Sequence, residues 1–116
     1  MLKQVCPKLP MRNKQATMHC YRDTLSFEIS ADYEEYLIIE KDDIEIHFFL
    51  HRTLNPLEND GQVYIRTSDI DVFYQSLLNR GVAIHPNGAL ATKPWGQKEF
   101  SLLDPDHNLL TFGEEV

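Results

Sequence analysis

The side chains best able to do chemistry in this chain fall on alternate positions of three short stretches. In Ile44 to Leu50 an apolar row of Ile44, Ile46, Phe48 and Leu50 leaves Glu45, His47 and Phe49 on the opposite side. In Gln62 to Thr67 the row Gln62, Tyr64 and Arg66 opposes Val63 and Ile65, and near the C-terminus Leu109, Thr111 and Gly113 oppose Leu110 and Phe112. A sheet with one apolar face and His, Gln, Tyr, Arg, Thr and Phe on the other offers hydrogen bonds and stacking to a small ligand. Trp95, bracketed by Pro94 and Gly96 in a loop, adds a large ring where burial in a core is awkward.

Motifs of covalent or phosphate chemistry are missing. The five glycines never reach the spacing of a phosphate-binding loop, and no Gly-x-Ser-x-Gly elbow is present. His19, His51, His85 and His107 show no metal-ligand spacing. Two cysteines, Cys6 and Cys20, are too few to staple a fold. Apolar runs such as Leu37-Ile38-Ile39 fall far short of the roughly 18 residues of a membrane span. Residues Met1 to Pro7 lack the charged-then-apolar layout of a secretory signal, so the expected compartment is the cytoplasm, with reduced thiols.

Charge narrows the partners. The net charge of −7 argues against nucleic acid, which needs surplus Lys and Arg. Residues 1–24 carry five bases and one acid, whereas residues 25–60 carry ten acids and two bases. A concentrated acidic segment serves solubility or steers a cationic ligand.

Those candidates need a scaffold to position them. After Ser68, read as an N-cap with Asp71 at capping-box spacing, Ile70, Phe73, Tyr74, Leu77 and Leu78 recur at helical period, and Gly81 provides a stop. A weaker helix follows Asn13, with Ala16, Cys20 and Tyr21 on one face. Tyr36 to Glu40 and Ile44 to Leu50 form a hairpin about Lys41-Asp42-Asp43, and Phe100 to Leu103 with Leu109 to Phe112 form another about Asp104 to Asn108. The caps Asn13 and Asp69 lie 56 residues apart, close to half of the 116. The expectation is an α+β fold: one domain, residues 1–116, of two tandem βαβββ modules, about 1–58 and 59–116, in a curved mixed sheet. Units this small bury little alone, so they share a sheet or associate with a second chain.

The doubled unit, with Leu9-Pro10-Met11-Arg12-Asn13, Tyr21 to Phe27 and Asp104-Pro105-Asp106-His107-Asn108-Leu109-Leu110, resembles the vicinal-oxygen-chelate superfamily of glyoxalases, extradiol dioxygenases and bleomycin resistance proteins. Ile44 to Leu57 and Pro94-Trp95-Gly96 through Asp104-Pro105-Asp106 look most like its bleomycin-binding branch. Two departures stand out: Ser26 in Leu25-Ser26-Phe27, and His107, each where the family usually has Gly. His107 can occupy a left-handed turn at some cost, so that turn is expected to survive.

Enzymes of the superfamily hold a divalent metal at four strand positions, which the resemblance places on Cys6, His47, Gln62 and Thr111. Thr111 lacks the charge of the usual Glu, so no metal or other cofactor is expected. The resemblance implies instead a homodimer, with a possible exchange of N-terminal strands carrying Pro7 and Pro10. Such a dimer sequesters a bleomycin-like cationic aromatic ligand in clefts at its interface. The implied ligand-binding residues are Tyr36, Ile38, His47, Phe49, Gln62, Tyr64, Trp95, Gly96, Ser101 and Thr111, with Trp95 and Tyr36 as opposed stacking partners. Asp32, Glu34, Glu35 and Glu45 would supply negative potential. The alternatives are a metal-dependent glyoxalase-like or dioxygenase-like enzyme using Cys6, His47 and Gln62, or a binder of another small aromatic ligand.

Overall fold

The computed structural model describes all of residues 1–116. Its first half runs β1 (Lys8–Met11), α1 (Lys14–Met18), a π-helical turn (His19–Thr24), β2 (Glu28–Asp32), β3 (Tyr36–Lys41) and β4 (Ile44–Leu50). After a short 3-10 turn at Pro56–Glu58, the second half repeats the order with β5 (Gln62–Arg66), α2 (Ile70–Asn79), β6 (Ala91–Thr92), β7 (Gln97–Leu103) and β8 (Leu109–Glu115). The strands form two four-stranded sheets, ordered β1-β4-β3-β2 and β5-β8-β7-β6. Each is mixed, with one parallel pair, β1 with β4 and β5 with β8. Both expected hairpins form, the first turning at Asp42, whose φ is 52°.

Alternation sorts the side chains as the residue pattern requires. Leu37, Ile39, Ile46 and Phe48 of the first sheet and Ile65, Phe100, Leu102, Leu110 and Phe112 of the second are buried against the helices in one core with Leu9, Met11, Tyr21, Leu25, Ile70 and Leu77. Aromatic packing joins α2 to its sheet: the Phe73 and Phe112 rings meet edge to face at 5.1 Å, and Phe100 stacks on Phe112 at the same spacing.

The two halves are clamped by the turn between β7 and β8. The Arg12 guanidinium donates to the Asp106 carboxylate at 2.7 Å and to the Pro105 carbonyl at 2.7 Å, and its backbone N–H donates to Asp106 at 3.1 Å. The Tyr21 hydroxyl donates to Asp104 at 2.8 Å, and the Asn108 amide to the Pro10 carbonyl at 2.9 Å. Asp104, Asp106 and Asn108 are all buried. The motifs Leu9 to Asn13 and Asp104 to Leu110 are therefore the two sides of one joint.

The helix expectations need correction. Ser68 makes no cap. Asp69 sits at the N-cap with φ 51°, a left-handed geometry that turns its side chain from the helix N–H groups. The Glu114 carboxylate of β8 takes that place, accepting from Asp69 N–H at 3.0 Å and Ile70 N–H at 3.1 Å. An anion is favoured there because the first N–H groups lack intrahelical partners and the dipole is positive. Asp71 pairs with Lys98 instead of closing a capping box, and Leu78 at the far end is exposed. In the first helix Asn13 does cap, accepting from Ala16 N–H at 3.0 Å. Its buried face is Thr17, Met18 and Tyr21, with Ala16 exposed and Cys20 partly buried, because widening to a π turn after Met18 rotates the later residues. Ser26 and His107 occupy the left-handed region, at φ 66° and 62°. The chain keeps turns there that favour glycine and carries their strain.

Candidate functional site

Sheet pairing places the polar residues of β3 and β4 side by side. Ile38 lies opposite His47 and Tyr36 opposite Phe49. Tyr36 and His47 are thus diagonal neighbours on one face, within reach of each other. The Tyr36 hydroxyl is 2.7 Å from His47 Nδ1, and His47 Nε2 is 2.6 Å from Glu45 Oε2. A carboxylate only accepts, so Nε2 carries a proton toward Glu45, and Nδ1 shares a hydrogen bond with the Tyr36 hydroxyl. The Cys6 thiol donates to the same Glu45 oxygen at 3.4 Å. These donors, His47 first and Cys6 next, hold Glu45 below the usual carboxylate range. Partial burial first, and then the hydrogen bond to Glu45 and its charge, push the Cys6 thiol up. The Lys8 ammonium stands 5.5 Å over the Tyr36 ring.

The second sheet carries a different group. Trp95 sits at the tip of the loop between β6 and β7, held by Lys93 N–H to the Gln97 carbonyl at 2.7 Å and Gly96 N–H to the Lys93 carbonyl at 3.1 Å. Gly96, at φ 81°, takes the left-handed position that this three-residue loop requires. Trp95 is 65% exposed, yet its indole N–H donates to Glu99 Oε2 at 2.9 Å. The Tyr64 hydroxyl donates to the same oxygen at 2.8 Å. Glu99, 8% exposed, is therefore the post to which both rings are tied. Tyr64 reaches it across Gly113, where a Cβ would overlap its hydroxyl and ring. Burial, then the hydrogen bond and charge of Glu99, push the Tyr64 phenol up, against the opposing pull of Arg66. Further along, Ser101 and Thr111 face each other across β7 and β8, their hydroxyls 2.9 Å apart.

The ten residues expected to bind a ligand thus lie in two groups. Tyr36, Ile38, His47 and Phe49 share the first sheet, and Gln62, Tyr64, Ser101 and Thr111 share the second with Trp95 and Gly96 at its hairpin tip. Within one chain Trp95 and Tyr36 are not on the same sheet. Glu99 was missed by the sequence pattern, although it is two residues before Ser101 on the same alternating row. Of the acids in residues 25–60, Glu45 joins this network and Glu40 lies opposite it on β3, while Asp32 and Glu35 pair with Lys14 and Arg52.

A divalent catalytic metal of the family type does not fit these positions. The Thr111 hydroxyl is spent on Ser101 and carries no charge, and Gln62 is exposed on the second sheet, apart from His47 on the first and Cys6 in the segment before β1. A hard cation asks for more anionic oxygen than this set supplies.

Comparison with known proteins agrees with the architecture. The family model described as Glyoxalase/Bleomycin resistance protein/Dioxygenase superfamily matches residues 4–112. A bleomycin resistance protein of Klebsiella pneumoniae is 30% identical over 95% of this chain and 90% of its own length. One of Geobacillus stearothermophilus is 24% identical over 97% of both chains. Among solved structures, a bleomycin-binding protein complexed with bleomycin superposes with a TM-score of 0.85 at 27% identity, covering 99% of this chain and 100% of the other. A bleomycin resistance determinant encoded on the transposon Tn5 gives 0.87 at 26% identity over 98% of each. No helix is long and apolar enough to cross a membrane. With its doubled βαβββ architecture and a family match over nearly its whole length, the chain belongs to the glyoxalase/bleomycin resistance protein/dioxygenase superfamily.

Proposed function

We propose that this protein is a non-enzymatic binder that sequesters a bleomycin-type glycopeptide and so confers resistance to it. The observation that carries the reading is the exposed Trp95, held upright through its indole N–H by the buried Glu99. An exposed tryptophan anchored by a carboxylate at its N–H edge suits a planar, cationic ligand, through stacking and cation–π attraction. The names of the similar proteins point the same way.

A second copy of the chain completes the site. Phe49, Tyr64 and Trp95 leave large apolar surface open on two separate sheets, so each chain offers two half-clefts. A twofold dimer sets the Tyr36, His47 and Phe49 face of one protomer against the Trp95 and Tyr64 face of its partner, making two equivalent clefts. The exposed N-terminal residues Met1, Leu2 and Val5, ahead of Pro7 and Pro10, form an arm free to cross to the partner. Both cysteines are free thiols, which suits action in the cytoplasm.

Calorimetric titration of the protein with copper-loaded bleomycin tests the proposal. The expected result is saturable heat at one drug per protomer, weakened by at least ~1 kcal/mol in Trp95→Ala with the dimer intact by sedimentation. Absence of heat at tens of micromolar protein overturns the drug-binding reading.

A further inference from the structure

A hollow of about 610 Å³ opens where the turn between β3 and β4 meets the corner between β5 and α2. Its floor is the end of the core, with Phe27 and Ile44 from the first half and Ile65, Phe73 and Phe112 from the second. Ile44, Ile65 and Phe112 belong to the apolar rows of their strands, so the hollow lies on the other side of the sheets from His47, Tyr64 and Thr111. None of the ten residues expected to bind the drug lines it. Its volume is that of a small-molecule site, for which roughly 300–1,000 Å³ is usual.

The rim decides which kind of molecule fits. Asp42 and Asp43 stand on the hairpin side and Asp69 on the α2 side. None of the three takes part in an ion pair. The two cations of the rim are engaged: the Lys41 ammonium donates to the Ser26 carbonyl at 3.4 Å, and the Arg66 guanidinium stands 5.9 Å over the Tyr64 ring. The start of α2 cannot draw an anion either, because Glu114 already meets its N–H groups. A smaller hollow of about 250 Å³ adjoins at Lys41 and Asp42 and adds Glu28 and Glu40, which the sheet register sets directly opposite each other. Like charges so placed repel, and a positive group is what relieves them.

We propose that this hollow is a second ligand site, for a small arylalkylamine whose ring rests on the phenylalanine floor and whose ammonium sits among Asp42, Asp43 and Asp69. Phe73 and Phe112 already meet edge to face at 5.1 Å, and a third ring extends that packing. The carboxylates are exposed, so their attraction for the ammonium is modest and weakens with salt. The site stands whether or not bleomycin is the ligand of the other face.

Titrating the isotope-labelled full chain with tryptamine, a cation at neutral pH, and following the backbone amides by NMR tests the proposal. Tryptophol and indole-3-acetate serve as the neutral and anionic counterparts. The expected result is saturable shifts over residues 41–44 and 65–76, with tryptamine bound several-fold more tightly than tryptophol and indole-3-acetate not bound. Replacing both Asp42→Asn and Asp69→Asn should bring tryptamine down to the affinity of tryptophol and leave tryptophol as it was. Asparagine tolerates the left-handed backbone of both positions, at φ 52° and 51°, so the double variant keeps the fold. Shifts centred instead on Tyr64 and Trp95, no saturable shift at millimolar tryptamine, an amine bound no more tightly than the alcohol, or an advantage that survives the double variant would each overturn the site.

Discussion

At the scale of the residue, a few buried oxygens do most of the positioning. Asp104 accepts from the Tyr21 hydroxyl, the Asn108 amide and the backbone N–H groups of Asp106 and Asn108. Burial pushes its carboxyl up, while those donors pull it down, and burial prevails. An acid whose folded pKa is raised binds protons more readily folded than unfolded, so its effect on stability worsens as pH climbs through that pKa. The Tyr21 bond matters most above it, where Asp104 is an anion. Tyr21→Phe should therefore cost about 1.5–3 kcal/mol at pH 7 and distinctly less near pH 3, as measured by urea unfolding at the two values. An equal loss at both would show that the bond's strength does not depend on the charge of Asp104, and no loss at either that Tyr21 contributes packing alone. This residue also shows what the sequence hides. Tyr21 and Asp104 are 83 positions apart, and nothing in hydrophobic periodicity pairs them. Glu99 was hidden differently, since an acid on a ligand-facing row looks solvated until Tyr64 and Trp95 are seen to cover it.

At the scale of the element, strands were easier to read than helices, for a physical reason. A strand's period of two fixes which side each residue takes, so His47 against Ile46 or Tyr64 against Ile65 followed from the sequence alone. The start of α1 is capped locally by Asn13, but that of α2 depends on a chain-distant partner. Ser68 and Asp71 had the spacing of a local cap, yet the N–H groups of α2 are met by Glu114, 44 residues from Ile70. The left-handed backbone of Asp69 leaves the local side chains out of line. Glu114→Ala should consequently lower stability by about 0.5–2 kcal/mol, whereas Ser68→Ala should stay within about 0.5 kcal/mol of the parent. Thermal or urea unfolding of the pair distinguishes them, and the reverse order would restore the local cap. The π turn at His19–Thr24 was likewise illegible, because its register is set by Tyr21 seating between Phe27 and Phe48.

At the scale of the whole molecule, charge and ligand chemistry meet. The chain carries −7, and most of the excess lies in residues 25–60. Those acids are mainly exposed in and around the strands of the first sheet, whereas the carboxylate that backs the aromatic pair, Glu99, belongs to the second. Under the proposed function contact and approach are therefore separable: Glu99 holds the rings on which the ligand would stack, and the exposed acids would act before it arrives. At 0.1 M salt the Debye length is about 10 Å, so a field summed over exposed carboxylates fades steeply as ionic strength rises. Attraction inside a closed aromatic cleft is screened far less. For a cationic glycopeptide the association rate should fall several-fold between about 0.02 and 0.5 M salt, with little change in dissociation, as steered encounters do. Stopped-flow quenching of Trp95 fluorescence reads both rates, because Trp95 is the only tryptophan. Replacing Asp32, Glu34 and Glu35 with their amides should remove much of that salt dependence while sparing dissociation. An association rate indifferent to salt would leave the acidic segment a solubility device, and the affinity would then rest on the cleft alone.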